Sequence, residues 1–152
     1  MSTARDPHDP TDERLLDVRT PVQLAFAPDQ SKVAFALHAT VADVGSHPPS
    51  DLYLVDLASD SPVQITSGAW SDGSPTWSPD GKYIAFVSAP TGTGSISYDQ
   101  RNGMLRLVDV ATRQIYDLER ATQGVGNWST LPKFAPFPPE EQGGLLFLTY
   151  NS

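Results

Sequence analysis

The stretch Ser74-Pro-Thr-Trp-Ser-Pro-Asp-Gly-Lys-Tyr-Ile-Ala-Phe-Val-Ser88 decides the fold. Short apolar runs flank Pro79-Asp80-Gly81 on both sides. Glycine reaches φ > 0 without a Cβ penalty, so Asp80-Gly81 reads as a tight hairpin turn. Pro79 fixes the backbone that enters it. Ile84-Ala-Phe86 places large residues on one strand face and a small one on the other. Strands with one small face suit closely stacked sheets.

The stretch has a copy upstream. In Leu24-Ala-Phe-Ala-Pro-Asp-Gln-Ser-Lys-Val-Ala-Phe35, the residues Phe26, Pro28, Asp29, Val33 and Phe35 stand 51 positions before Trp77, Pro79, Asp80, Ile84 and Phe86. Gln30 takes the place of Gly81, so that turn is expected to be strained or of another type. A weaker third copy begins at Lys133-Phe-Ala-Pro136, with a longer turn from Phe137 to Gly144 before Leu145-Leu-Phe-Leu-Thr-Tyr150. The intervening segments match as well. Leu52-Tyr-Leu-Val-Asp-Leu-Ala-Ser59 parallels Leu105-Arg-Leu-Val-Asp-Val-Ala-Thr112, which makes Asp56 and Asp109 equivalent. Each is followed by another apolar run, Val63-Gln-Ile-Thr66 and Gln114-Ile-Tyr-Asp-Leu118.

One unit is therefore four short strands with a period of 51 to 57 residues. That period is the signature of a propeller blade, which must stack on neighbours because it cannot bury both faces alone. The expected fold is all-β: a partial β-propeller of four-stranded antiparallel blades. Its expected parts are a lead over 1–20 with a short helix at Thr11–Val18, blade 1 over 21–72, blade 2 over 73–129, and a truncated start of blade 3 over 130–152. Long loops, His38 to Ser50 and Ala89 to Asn102, are expected between second and third strands.

Composition narrows the function. The 152-residue chain carries a net charge of −8, and an acidic surface repels phosphate backbones, so nucleic acid is not an expected partner. There is no cysteine, which removes disulfides and thiolate metal sites. The opening Met1 to Arg14 is polar, acidic and proline-broken, unlike a secretory signal, and no apolar run approaches a membrane span. A cytoplasmic location and no membrane partner are expected.

No catalytic, cofactor or metal residue is expected. An α/β-hydrolase needs a GxSxG elbow and a later Asp and His; no elbow occurs and no histidine follows His47. Asp29 and Asp80 are assigned to turns, where Asp accepts backbone N–H bonds; Asp56 and Asp109 at the third-strand ends are read in the same way. Phe26, Pro28, Trp77, Pro79, Gly81 and Phe86 complete the repeated structural motif. Trp77 fills a core slot, whereas Trp70 and Trp128 precede first strands and are the candidates for a contact role at the channel mouth. His38 and His47, with Asp43 and Asp51 nearby, lack the three or four convergent ligands of a metal site. Gly92-Thr-Gly94 and Gly124-Val-Gly126 lack the strand-to-helix context of a phosphate loop.

The motif Ser74–Ser88 resembles the WD-repeat-like blade shared by the Tol-system propeller protein and the N-terminal propeller of the prolyl oligopeptidase and acylaminoacyl-peptidase family of serine peptidases. The lead Arg14-Leu-Leu-Asp-Val-Arg-Thr and the segment Ser50-Asp-Leu-Tyr-Leu-Val-Asp56 resemble the peptidase opening. That resemblance implies a non-catalytic segment whose complete propeller caps a downstream α/β-hydrolase domain and restricts access of peptide substrates. The alternative is an interaction propeller of Tol type without enzymatic activity. In either case, the isolated segment is expected to self-associate through uncovered blade faces.

Overall fold

The computed structural model describes residues 22–38, 49–59, 61–68, 70–90, 103–119, 130–136, 140 and 148–151. Strands β1 (Val22–Phe26), β2 (Lys32–His38), β3 (Ser50–Asp56) and β4 (Ser61–Gln64) form one antiparallel sheet in chain order. Strands β5 (Trp70–Trp77), β6 (Tyr83–Pro90), β7 (Met104–Asp109) and β8 (Ile115–Asp117) form a second sheet of the same order. Strands β9 (Thr130–Phe134) and β10 (Leu148–Asn151) pair as a hairpin. The architecture is a partial β-propeller: two complete four-stranded blades and a hairpin that begins a third. The lead over 1–20 and its expected helix lie outside the described residues, as do 39–48, 91–102 and 145–147. Among the described residues, no helix is long and apolar enough to cross a membrane.

The repeat seen in the sequence recurs in the hydrogen bonds. Ala27 N–H donates to the Lys32 carbonyl and Gln30 N–H to the Ala27 carbonyl; Ser78 and Gly81 do the same to Tyr83 and Ser78, all at 2.9 Å. Each turn therefore holds four residues between its closing pair rather than two. Gly81 has φ 70° and Gln30 φ 60°, so blade 1 places a side-chain-bearing residue in the left-handed region that glycine takes in blade 2.

A second repeated feature has no sequence signature. The β1–β2 register breaks between Val22 and Ala25, and the β5–β6 register between Gly73 and Thr76. The third hairpin breaks at the equivalent place, Thr130 to Lys133 on β9. These are β-bulges, with Gln23 at φ 55° and Ser74 at φ 52°. The bulge hides the front half of β5 from the repeat. The second sheet consequently starts at Trp70, before the expected boundary at 73.

The blades stack small face against large face. Cross-strand pairing puts Ala34 with Leu54 and Ala36 with Leu52 on one side of blade 1. Trp77, Ile84 and Val108 align across blade 2, with Phe86 on the same face. These two sets form one buried cluster, and β5 touches β1, β2 and β3. Burying a large apolar side chain such as Phe86 contributes about 1.5–3 kcal/mol, so this seam is the main apolar stabiliser of the described fold.

Candidate functional site at the seam between blades

The repeated Asp residues serve their own turns. Asp29 Oδ1 accepts from Ser31 N–H at 3.0 Å and Ser31 Oγ–H at 2.8 Å; Asp80 Oδ1 accepts from Ser78 Oγ–H at 2.6 Å and Lys82 N–H at 3.1 Å. Asp56 Oδ1 accepts from Ala58 N–H, and Asp109 Oδ1 from Ala111 and Thr112 N–H, each at 2.9 Å. Backbone donors stabilise the ionised form, so the carboxyls of Asp29, Asp56 and Asp109 all lie below the ordinary value of 3.8. The first pair of turns flanks a shallow cleft of about 260 Å³ whose walls include Pro28, Asp29, Trp77, Pro79, Asp80 and Gly81. Phe86 lies fully buried in the seam, and Phe26 is 61% exposed on the opposite, open face of blade 1.

Two bonds sew the inner strands together. Trp77 Nε1–H donates to the Ala25 carbonyl of the preceding blade at 2.9 Å. Ser74 N–H donates to Gln23 Oε1 at 2.7 Å, which joins one bulge to the next. A Cβ at Gly73 would stand 2.4 Å from that same Gln23 oxygen.

The far end of the seam holds a polar network. Ser50 Oγ meets Ser71 Oγ at 2.9 Å and donates to the Asp72 carbonyl at 2.9 Å. Ser88 Oγ–H donates to the Asp72 carboxylate, and Arg106 Nη1–H reaches Ser88 Oγ at 3.2 Å. Arg106 Nε lies 2.8 Å from Asp117 Oδ1, close as an ion pair but poorly aligned as a hydrogen bond. Its guanidinium sits 5.3 Å from the Trp70 ring centre. Trp70 is therefore the first residue of β5 and a platform for Arg106, not a residue ahead of the strand; Trp128 lies outside the described residues.

Asp51 follows Ser50 at the same end and is 7% exposed, with Oδ2 accepting from Gln64 Nε2–H at 3.0 Å. Its Oδ1 is buried and has no hydrogen-bond partner among the described residues. Burial first, and the charge of Asp72 second, push its carboxyl above the ordinary value against the pull of Gln64.

Asp72, Ser88, Arg106 and Asp117 are not among the residues that the sequence singles out. The signal lies in paired differences between copies. Tyr53 of blade 1 corresponds to Arg106, and Gln64 to Asp117, so two neutral residues become an ion pair in step. His38 pairs in register with Ser50 at the end of β2, yet its Nδ1 has no partner among the described residues and Ser50 Oγ is committed across the seam. Ser88 on Asp72 and Ser78 on Asp80 are serine–carboxylate contacts within a hairpin and a turn, and no three His, Cys, Asp or Glu side chains that could hold a metal ion converge among the described residues. His8, His47 and Asp43 lie outside the described residues.

Three solved structures align with this chain. TolB from Acinetobacter baumannii aligns over 76% of this chain and 24% of its own, at 22% identity and TM-score 0.49. A putative TolB from Agrobacterium tumefaciens aligns over 77% of this chain and 35% of its own, at 20% identity and TM-score 0.55. Pyrococcus horikoshii acylaminoacyl peptidase aligns over 69% and 14%, at 16% identity and TM-score 0.47. The chain spans about a third or less of each. At these identities the likeness speaks for the fold alone, and the Agrobacterium protein carries it. No protein-family model and no curated protein sequence matches.

Proposed function

We propose that the chain is a non-catalytic propeller segment whose complete ring caps the active site of a serine peptidase of the prolyl oligopeptidase type and restricts which peptides reach it. The supporting observation is the continuity of the inner wall. β1 and β5 carry the same bulge, and Gln23–Ser74 and Trp77–Ala25 bonds sew them together. A wall joined by backbone-directed bonds admits ligand along the ring axis rather than between blades. The peptidase resemblance of the sequence supplies the chemistry that such a wall would guard.

An interaction propeller of Tol type is the second reading, favoured by the likeness to the putative TolB of Agrobacterium. A fluorophosphonate probe applied to cells that express the natural gene separates the two. After denaturation, antibody against 70–119 should recover a polypeptide that carries the label. Recovery of an unlabelled polypeptide, with probe reactivity intact elsewhere in the lysate, contradicts the peptidase reading and leaves the interaction propeller.

A further inference from the structure

Blade 1 repeats, on its open side, the face that blade 2 turns into the seam. The register rows of that face are Trp77–Ile84–Val108 and Phe86–Arg106–Asp117 in blade 2. In blade 1 the same rows are Phe26–Val33–Val55 and Phe35–Tyr53–Gln64. The apolar members in blade 2 are buried against Ala34, Ala36, Leu52 and Leu54. In blade 1 Val33 is buried, but Phe26 is exposed and Phe35, Tyr53 and Val55 are only half-buried. The rings of Phe35 and Tyr53 stack on the two central strands, with centres 5.8 Å apart and planes at 15°.

The two faces differ in polarity. Blade 2 meets its neighbour through Trp77 Nε1–H and the Asp72 carbonyl, and carries the Arg106–Asp117 ion pair on the same face. Blade 1 has Phe26, Tyr53 and Gln64 in the places of Trp77, Arg106 and Asp117, and Leu37 in that of Ser88. In these rows its one charged residue is Asp51, beside Leu37, and that is buried. Two copies of such a face can meet without setting like charges against each other, even at a net charge of −8. The far end of the run offers a poor match instead. Lys133 and Thr149, both exposed, pair in the positions that Ala25 and Ala34 hold in blade 1. A long cation stands where close stacking uses a methyl, and an aromatic face laid over it would strand its charge. We propose that two copies of this chain pair face to face through blade 1, about a twofold axis near the Phe35–Tyr53 stack, so that each buries the other's Phe26 and Tyr53. Self-pairing of this kind goes beyond both functional readings, because it depends only on this segment's own surface. It also closes at a dimer, whereas head-to-tail stacking would grow into a filament.

Sedimentation equilibrium of the whole chain across a wide concentration range tests this. The mass should level off at twice 16.4 kDa. Tyr53→Arg puts blade 2's residue into the equivalent place, on the same strand face as the Asp51 carboxylate. It should keep the circular dichroism of the parent and weaken the dimer at least about tenfold. Phe26→Gln changes an exposed side chain and should weaken the dimer in the same way, which keeps the test alive if the arginine variant folds poorly. Lys133→Glu, on the opposite end of the run, should leave the dissociation constant unchanged. A mass that climbs past the dimer, a dimer lost in Lys133→Glu, folded Tyr53→Arg and Phe26→Gln chains that pair as tightly as the parent, or a monomer at every concentration overturns the proposal. The first two results would assign association to head-to-tail stacking of blades instead.

Discussion

The indole of Trp77 donates its Nε1–H to the backbone carbonyl of Ala25 in the preceding blade, 2.9 Å away. One side chain thus fills the seam and fixes the offset of the two inner strands. Trp77→Phe keeps most of the volume and strands the Ala25 carbonyl, at a cost of about 1 kcal/mol. Trp77→Ala removes both and should cost about 3–5 kcal/mol. Trp70→Ala loses a half-exposed contact with Arg106 and should cost about 1 kcal/mol. Denaturant melts of the three variants check that order, and equal losses for the two Ala variants would contradict it.

The turns offer a paired exchange. Gln30 at φ 60° and Gly81 at φ 70° occupy the same position of two otherwise matching turns. Gln30→Gly should stabilise the chain by about 0.5–1 kcal/mol, and Gly81→Gln should destabilise it by about 1 kcal/mol. A Cβ at Gly81 meets only Pro28 Cδ at 3.8 Å, an ordinary contact, so the cost is conformational. Opposite shifts in the thermal midpoint are expected from the two variants.

At the bulge, Gly73→Ala must push the Gln23 carboxamide off Ser74 N–H, because the new Cβ would stand 2.4 Å from its oxygen. A double-mutant cycle with Gln23→Ala should therefore be non-additive. Gly73→Ala should cost about 0.5–1.5 kcal/mol less in the Gln23→Ala background than in the parent.

Two sets of carboxylates set opposite pH trends. Asp29, Asp56 and Asp109 have lowered values, so the stability they contribute is present above 3.8 and lost as pH falls through their folded values. Asp51 has a raised value, so stability is gained as pH falls from above its folded value towards 3.8. The two windows meet near 3.8. Chemical melts should show stability increasing gently as pH falls towards 3.8, then decreasing below it. Asp51→Asn should keep the acid-side decrease and lose the gentle rise.

Much of the fold is legible in the sequence because each blade repeats its turn chemistry. Pro-Asp in the hairpins, Asp56 and Asp109 after the third strands, and the small–large alternation of Val33-Ala-Phe35 and Ile84-Ala-Phe86 all restate local rules at fixed spacing. The bulges are not legible. Their positive φ falls on Gln23 in one blade and Ser74 in the other, and neither residue type demands it. The first half of β5, and Trp70 with it, consequently looks like linker in the sequence. The polar end of the seam is hidden for another reason. Ser50 and Ser71 come from different blades and only packing brings them together, whereas Ser88 meets Asp72 through the β5–β6 register, which the bulge between Gly73 and Thr76 shifts.

An open run of blades differs from a closed unit in what it leaves uncovered. Phe26 is 61% exposed and Leu24 59% exposed on the inner strand of blade 1, whereas Trp77, in the slot equivalent to Phe26, is 8% exposed under its neighbour. Light scattering after size exclusion is the most direct measurement. The chain should show a mass above 16.4 kDa that grows with concentration, and Leu24→Lys with Phe26→Lys should return it towards the monomer. A monomer of 16.4 kDa at every concentration, unfolding in one sharp transition and unaffected by the two lysines, would contradict an open run of blades.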